Sequence, residues 1–212
     1  VDYKTQNNTG LFFDTEKDRW SFRLGYQVLS NTDIDNTEET AGLLKIVTDA
    51  GFPEVAKALQ IDDIDIKFYS GSAGYDAEDW FVSGEYIESK LGKSIGVSEY
   101  AAYVTTGLRR DAWTWHYTYG NRERKNEEQF TQGLRQSAAQ NPTAASSNFA
   151  LTLADIVDDS VVSSNSSYRT HTMGLRWDFK EDWALKIELE NIEDRDNDLN
   201  NNLFSLALDF VF

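Results

Sequence analysis

The chain has 212 residues, 40% of them hydrophobic, no cysteine and a formal net charge of −16 at pH 7. Its apolar runs are only a few residues long, far short of the roughly 20 consecutive apolar residues of a membrane-spanning helix, and its negative charge opposes nucleic acid, whose phosphates it would repel. A β-barrel escapes both exclusions, because lipid-facing residues alternate with lumen-facing ones along each strand and barely register in average hydropathy.

Val1 is not followed by a basic start and an apolar stretch, so no export signal is read within the chain. Leu11–Asp14 marks a candidate first strand. Over the next segment Trp20, Phe22, Leu24, Tyr26 and Val28 alternate with Arg19, Ser21, Arg23, Gly25 and Gln27, the period of a strand with one apolar face. A long connection is expected over 29–60. Within it Asn36 and Glu39 have the spacing of a helix cap and its reciprocal acid. Leu43, Leu44, Ile46 and Val47 follow at helical spacing, Gly51 suits a helix end, and Pro53 opens a second short helix through Leu59. Such an apolar helical face must pack into the barrel mouth, on the other long loop or on a partner.

Ile64, Ile66 and Phe68 then alternate with Asp63, Asp65 and Lys67. Strands over about 78–89 and 97–109 carry Trp80, Val82 and Tyr86, then Tyr100, Ala102 and Val104, on one face each. Trp113, Trp115, Tyr117 and Tyr119 alternate with Thr114, His116, Thr118 and Gly120. The second long connection, 122–166, opens on the charged run Arg122–Glu128, passes a Ser/Ala/Asn-rich middle and holds a short helix around Leu151–Val157. Met173, Leu175, Trp177 and Phe179 interleave with Thr172, Gly174, Arg176 and Asp178. Trp183, Leu185, Ile187 and Leu189 interleave with Ala184, Lys186, Glu188 and Glu190. In the tip that follows, Asp194, Asp196 and Asp198 copy the start of an EF-hand loop. Leu199 stands where that loop needs glycine and Ser205 where it needs a bidentate Glu, so no metal site is assigned. Loose divalent-ion bridging to lipopolysaccharide fits this surface better. The last strand places Phe204, Leu206, Leu208, Phe210 and Phe212 on one face.

The pattern predicts eight clear strands and a candidate ninth, each of about ten residues, the length a tilted strand needs to cross a bilayer. The fold class is therefore all-β: one antiparallel transmembrane β-barrel domain over 1–212, with short periplasmic turns and long, partly helical extracellular loops at about 29–60 and 122–166. Working back from a periplasmic C-terminus, the short connections are expected at Gly71–Ala77, Arg109–Asp111 and Lys180–Asp182, and the outside ones also at 90–96 and 193–201. Trp20, Trp80, Trp113, Trp115, Trp177 and Trp183 all fall at the periplasmic strand ends, where indole rings favour the membrane interface.

The closing stretch from Ser205 to Phe212 resembles the terminal signal by which outer-membrane barrels are recognised for insertion, with Ser205, Phe210 and Phe212 in place and Ala207 where glycine is usual. Stretches such as Asp79–Tyr86 and Tyr103–Arg109 resemble the C-terminal half of general-diffusion porins of Gram-negative bacteria, a likeness covering most of 18–212. It implies outer-membrane lipid, lipopolysaccharide and the barrel-assembly machinery as partners, a homotrimer, and a barrel of about sixteen strands. Two readings follow. Either the chain is the C-terminal part of a larger barrel, or residues 1–17 are a periplasmic lead-in and 18–212 close as an eight-stranded barrel filled by its own side chains.

On the expected inward face lie Arg19, Arg23, Lys67, Arg109, Arg176 and Lys186 together with Asp63, Asp65, Glu85, Asp178, Glu188 and Glu190, and His116. Facing rows of opposite charge order water in a wide lumen and select by lining charge; in a narrow one they pair and plug it. With two histidines on opposite faces and neither Gly-x-Ser-x-Gly nor His-Glu-x-x-His, no catalytic group and no cofactor are expected. The expectation is a porin-like channel for passive diffusion of small hydrophilic solutes, mildly cation-preferring. The alternative is a small closed barrel with a structural or loop-mediated binding role.

Overall fold

In the computed structural model, the described residues are 3–34, 38–49, 64–91, 98–125, 148–156 and 165–210, with isolated loop positions such as Pro53, Ala56 and Arg135. Among these residues nine antiparallel strands form one sheet in strict chain order. They are β1 (Tyr3–Lys17), β2 (Trp20–Ile34), β3 (Ile64–Asp76), β4 (Trp80–Leu91), β5 (Ser98–Arg110), β6 (Trp113–Lys125), β7 (Ser166–Lys180), β8 (Trp183–Asp194) and β9 (Leu199–Phe210). At 12 to 15 residues each, they are about twice the usual soluble strand. Among the described residues β1 pairs only with β2 and β9 only with β8. No helix of the described residues is long and apolar enough to cross a membrane.

The candidate ninth strand is β1, a full-length element paired with β2 from Tyr3↔Ile34 to Lys17↔Trp20. This overturns the reading of 1–17 as a lead-in. The segment hid because Leu11, Phe12 and Phe13 break the period of two. Phe12 lies opposite Gly25, and a Cβ built on either Gly10 or Gly25 would come within 3.1 Å of its ring. The ring occupies room that two glycines leave.

Connections alternate between tight and long. The tight end has turns at 18–19, 77–79, 111–112 and 181–182. In each, one acidic residue takes a positive φ: Asp18 56°, Glu78 60°, Asp111 53° and Asp182 67°. Asp tolerates the left-handed region because its short polar side chain bonds locally. Residues Gly71–Asp76, expected in a turn, are strand, and only Ala77–Asp79 turns. At the other end β2 and β6 run past the expected loop starts, to Ile34 and Lys125, and the expected loop 193–201 shrinks to four turn residues, 195–198.

That long-connection end holds the buried apolar core. Of the eight buried hydrophobic side chains among the described residues, Leu44, Val47, Ala56, Ile64, Ala150, Leu153 and Ala154 belong to it, and only Ala184 lies at the tight end. Leu44 and Val47 come from α1 (Glu38–Asp49), the helix expected from the spacing of residues 43–47. Residues 148–156 form a second helix, and Pro53 and Ala56 are also helical. The proposed cap Asn36 and helix end Gly51 lie outside the described residues.

Candidate pore-lining face

Directly paired residues of antiparallel neighbours share a face, so the register sorts every strand residue. One face is apolar. It carries Leu11, Phe13, Phe22, Leu24, Val82, Val104, Leu175, Met173, Ile187, Leu189, Phe204 and Leu206, and all six tryptophans. These side chains are not tucked away: Leu24 is 60% exposed, Met173 66% and Leu206 62%. In water such a continuous apolar face is untenable; against hydrocarbon it matches its solvent.

The tryptophans form a ring-to-ring band beside the tight turns. Trp20 meets Tyr75 at 4.8 Å and Tyr75 meets Trp80 at 5.2 Å. Further round, Trp113 stacks on Trp177 at 5.0 Å, and the chain of contacts runs through Phe179 and Trp183 to Phe210. Six residues along the strand from Trp20, Tyr75, Trp80, Trp113 and Trp177 stand Tyr26, Tyr69, Tyr86, Tyr119 and His171, all on the same face. Tyr26 and Tyr69 touch at 5.2 Å, and Tyr86 stacks on Tyr100 at 6.3 Å. Two aromatic belts thus bound an apolar band about 20 Å tall along the strand at ~3.4 Å per residue.

The opposite face is polar and falls into three levels. Beside the tight turns, opposite charges pair sideways. Arg23 bonds Asp14 at 2.9 Å. Arg109 closes on both oxygens of Asp76 at 2.6 and 2.9 Å while lying 4.6 Å over the Phe81 ring. Arg176 bonds Asp178, and Lys186 bonds Asp209 at 2.6 Å. The middle level holds Glu85, Glu188 and Glu190 among threonines and serines. Its acids meet weak partners: Tyr103 donates to Glu85 at 3.0 Å, and His116 Nε2 lies 3.4 Å from Glu188. Near the long connections Arg122 and Arg124 share one carboxylate, Glu99, at 2.5 and 3.4 Å.

The structure therefore places Arg23, Glu85, Arg109, His116, Arg176, Asp178, Lys186, Glu188 and Glu190 together on the polar face. Arg19 sits in the first turn, bonded to Glu78 of the next at 3.3 Å, at the rim of that face. Lys67 and Asp65 are a correction. Lys67 pairs with Val28 and Lys90 on the apolar side, and Asp65 follows it by alternation. The strand runs on past the tyrosine belt, where both faces meet water and polarity no longer tracks facing; Ile66 and Phe68 turn inward there instead. A shift of register between Leu29 and Thr32, with Asn31 at φ 51°, marks the same level. Asp63 and Phe212 lie outside the described residues. Of the terminal signal, Phe210 packs on Trp183, while Ser205 and Ala207 stand opposite Glu188 and Lys186 on the polar face.

Sequence reasoning misses Asp14, Asp76, Asp209 and Glu99, and it leaves Arg122 and Arg124 in a loop. Their signal is register, which brings them opposite partners that no local spacing reveals. The acidic tip proves to be a turn beyond the tyrosine belt, in which Asp194 accepts from the backbone of Asp196 and Asn197 and from the Asn197 side chain. That last hydrogen bond holds the Asp194 carboxyl below its ordinary value. His171 bonds Tyr117 at 2.6 Å on the apolar face.

No protein-family model matches the sequence, and no curated protein does. Among solved structures the chain is similar to OmpT, an outer membrane protein of Vibrio cholerae, with a TM-score of 0.52 and 10% identity over 95% of this chain. The match covers 54% of that protein, so the chain spans about half its length. The likeness is one of fold: an all-β antiparallel sheet of the outer-membrane β-barrel kind.

Proposed function

We propose that the chain forms part of the wall of an outer-membrane channel, with lipid on the tryptophan-bearing face and water on the charged one. The observation that carries this is the two-sided sheet, apolar between its aromatic belts on one face and carrying charges that bond along the wall on the other. Arg23 and Asp14 are 62% and 61% exposed, and Arg176, Lys186 and Asp209 between 39% and 47%. Their bonds run sideways along the wall. A barrel closed by eight strands fills with its own side chains, and such charges would be buried across a plug. Pairing along the wall instead fits a wide lumen in a barrel of more strands, as the longer structural neighbour also suggests.

Through that lumen small hydrophilic solutes diffuse passively. Among the described side chains of the polar face the carboxylates of Asp14, Glu16, Asp76, Glu85, Glu99, Asp178, Glu188, Glu190, Asp194 and Asp209 outnumber the bases Arg23, Arg109, Arg122, Arg124, Arg176 and Lys186. That excess favours cations. The tight-turn end, with its tryptophans and the C-terminus, faces the periplasm. Assembly as a homotrimer beside lipopolysaccharide, after insertion by the barrel-assembly machinery, belongs to the same reading. The reading gives no catalytic role to His116 or His171, which stand on opposite faces of the sheet.

Single-channel recording in a planar bilayer tests the proposal. Stepwise currents are expected from correctly folded protein, and their steady absence would overturn the pore.

A further inference from the structure

We infer that the polar face carries a docking niche for a small carboxylate between β5 and β8, just below the long connections. A depression opens there in the wall, lined by Ala101, Gly120, Arg122, Tyr168, Thr170 and Ile192. Two adjacent cross-strand rows build it. One runs Ala101, Arg122, Tyr168, Asp194, and the next runs Tyr103, Gly120, Thr170, Ile192. The small residues Ala101 and Gly120 make the floor. Gly120 is required for that shape, because a Cβ there would collide with the Thr170 hydroxyl.

The walls supply the recognition. Among the described residues Arg122 and Arg124 have Glu99 between them and Asp194 in the same row, so the charges of this corner balance on a face where carboxylates are in excess elsewhere. Arg122 uses its Nε on Glu99 at 2.5 Å, and a guanidinium has further N–H groups in the same plane to offer a second carboxylate. The acid nearest in the row, Asp194, already accepts from the turn that follows it. Tyr168 lies opposite Arg122 and Thr170 opposite Gly120, so each brings a hydroxyl to the depression, while Ile192 gives an apolar side for a short carbon chain. A convergent base, two hydroxyls and an apolar wall are the ingredients of a small-molecule site. The ligand class is a compact monocarboxylate. The niche stands on wall geometry and does not depend on the channel reading.

Binding of butyrate to the folded full chain in detergent micelles, followed by saturation-transfer NMR, tests the niche, with butylammonium as the same chain bearing the opposite charge. Butyrate is expected to bind and butylammonium not. Arg122→Gln should weaken butyrate on the order of tenfold, as loss of a charge-assisted contact does, and Ala101→Leu should block it by filling the floor. Retained heat-modifiable gel mobility shows that each variant is folded. Equal binding of the two probes, or unchanged butyrate binding in both folded variants, overturns the site. Because no current is read, failure here is separate from failure of the channel.

Discussion

Arg109 on β5 reaches across the whole width of β4 to hold both oxygens of Asp76 on β3. The guanidinium passes over the Phe81 ring, 4.6 Å from its centre, and also donates to the Glu78 carbonyl at 3.2 Å. One side chain thereby fastens the β3–β4 turn, in which Glu78 sits at φ 60°, to the next hairpin. The Phe81 ring in turn lies where Gly107 has no side chain, since a Cβ there would collide with it. Arginine, aromatic and glycine form one unit.

Removing the arginine should loosen that turn without unfolding the sheet. Asp76 is 58% exposed and Arg109 37%, so solvent screens the pair and it adds little to global stability. In Arg109→Ala, faster amide hydrogen exchange is expected at Ala77 and Asp79, whose amides close the turn by bonding Trp80 and Ala77 carbonyls. Exchange in β7 and β8 should stay as it was. Unaltered exchange at 77–79 would show that the backbone alone holds the turn.

Changes at two heights on the apolar face should differ sharply in cost. Leu24 sits between Trp20 and Tyr26, inside the band that the two belts bound, whereas Lys67 already lies beyond the tyrosine belt. Leu24→Arg is expected to cost roughly 2–4 kcal/mol, the penalty of a cation near the bilayer midplane. Lys67→Ala should stay within about 0.5 kcal/mol, as an exposed surface change does. Folding equilibria into lipid vesicles measure both, and equal costs would contradict the position of the band.

The belts were legible in the sequence because lipid imposes a strict rule on one face, and six tryptophans obey it. Alternation misplaces Lys67 because the rule ends at the tyrosine belt while the strand continues. β1 was nearly lost because Phe12 fills the space over Gly10 and Gly25 and so breaks the alternation. Partnerships such as Arg23 with Asp14 or Arg109 with Asp76 depend on register, and a one-residue slip would exchange the faces of a whole strand. Local spacing carries no record of that choice.

Gly174 should tolerate alanine only if His116 gives way. A Cβ at Gly174 would collide with the His116 imidazole, which lies directly opposite across β6 and β7. Gly174→Ala alone is expected to destabilise by about 1–3 kcal/mol through overpacking. In the Gly174→Ala/His116→Ala double variant much of that loss should return. A coupling energy above about 0.5 kcal/mol in the cycle marks the contact; strict additivity would show that the ring does not rest there.

The middle level of the polar face should set ion preference more than the level beside the tight turns. Arg23, Arg176 and Lys186 each have a carboxylate within 3 Å, so their charge is largely cancelled on the spot. Among the described residues Glu188 has only His116 at 3.4 Å, and Glu190 stands opposite Thr172 and Leu203. Among the described side chains the carboxylates of the face exceed its bases by four, ten against six in the residues named above, and neutralising Glu188 and Glu190 removes two of that excess. Glu188→Gln/Glu190→Gln is therefore expected to move the reversal potential in a salt gradient toward zero, since selectivity follows lining charge. Arg23→Glu should shift it the other way, to stronger cation selectivity, because it removes the partner of Asp14 and adds a second carboxylate beside it. A reversal potential unmoved by the double variant, in protein that still conducts, would remove these two carboxylates from the path of the ions.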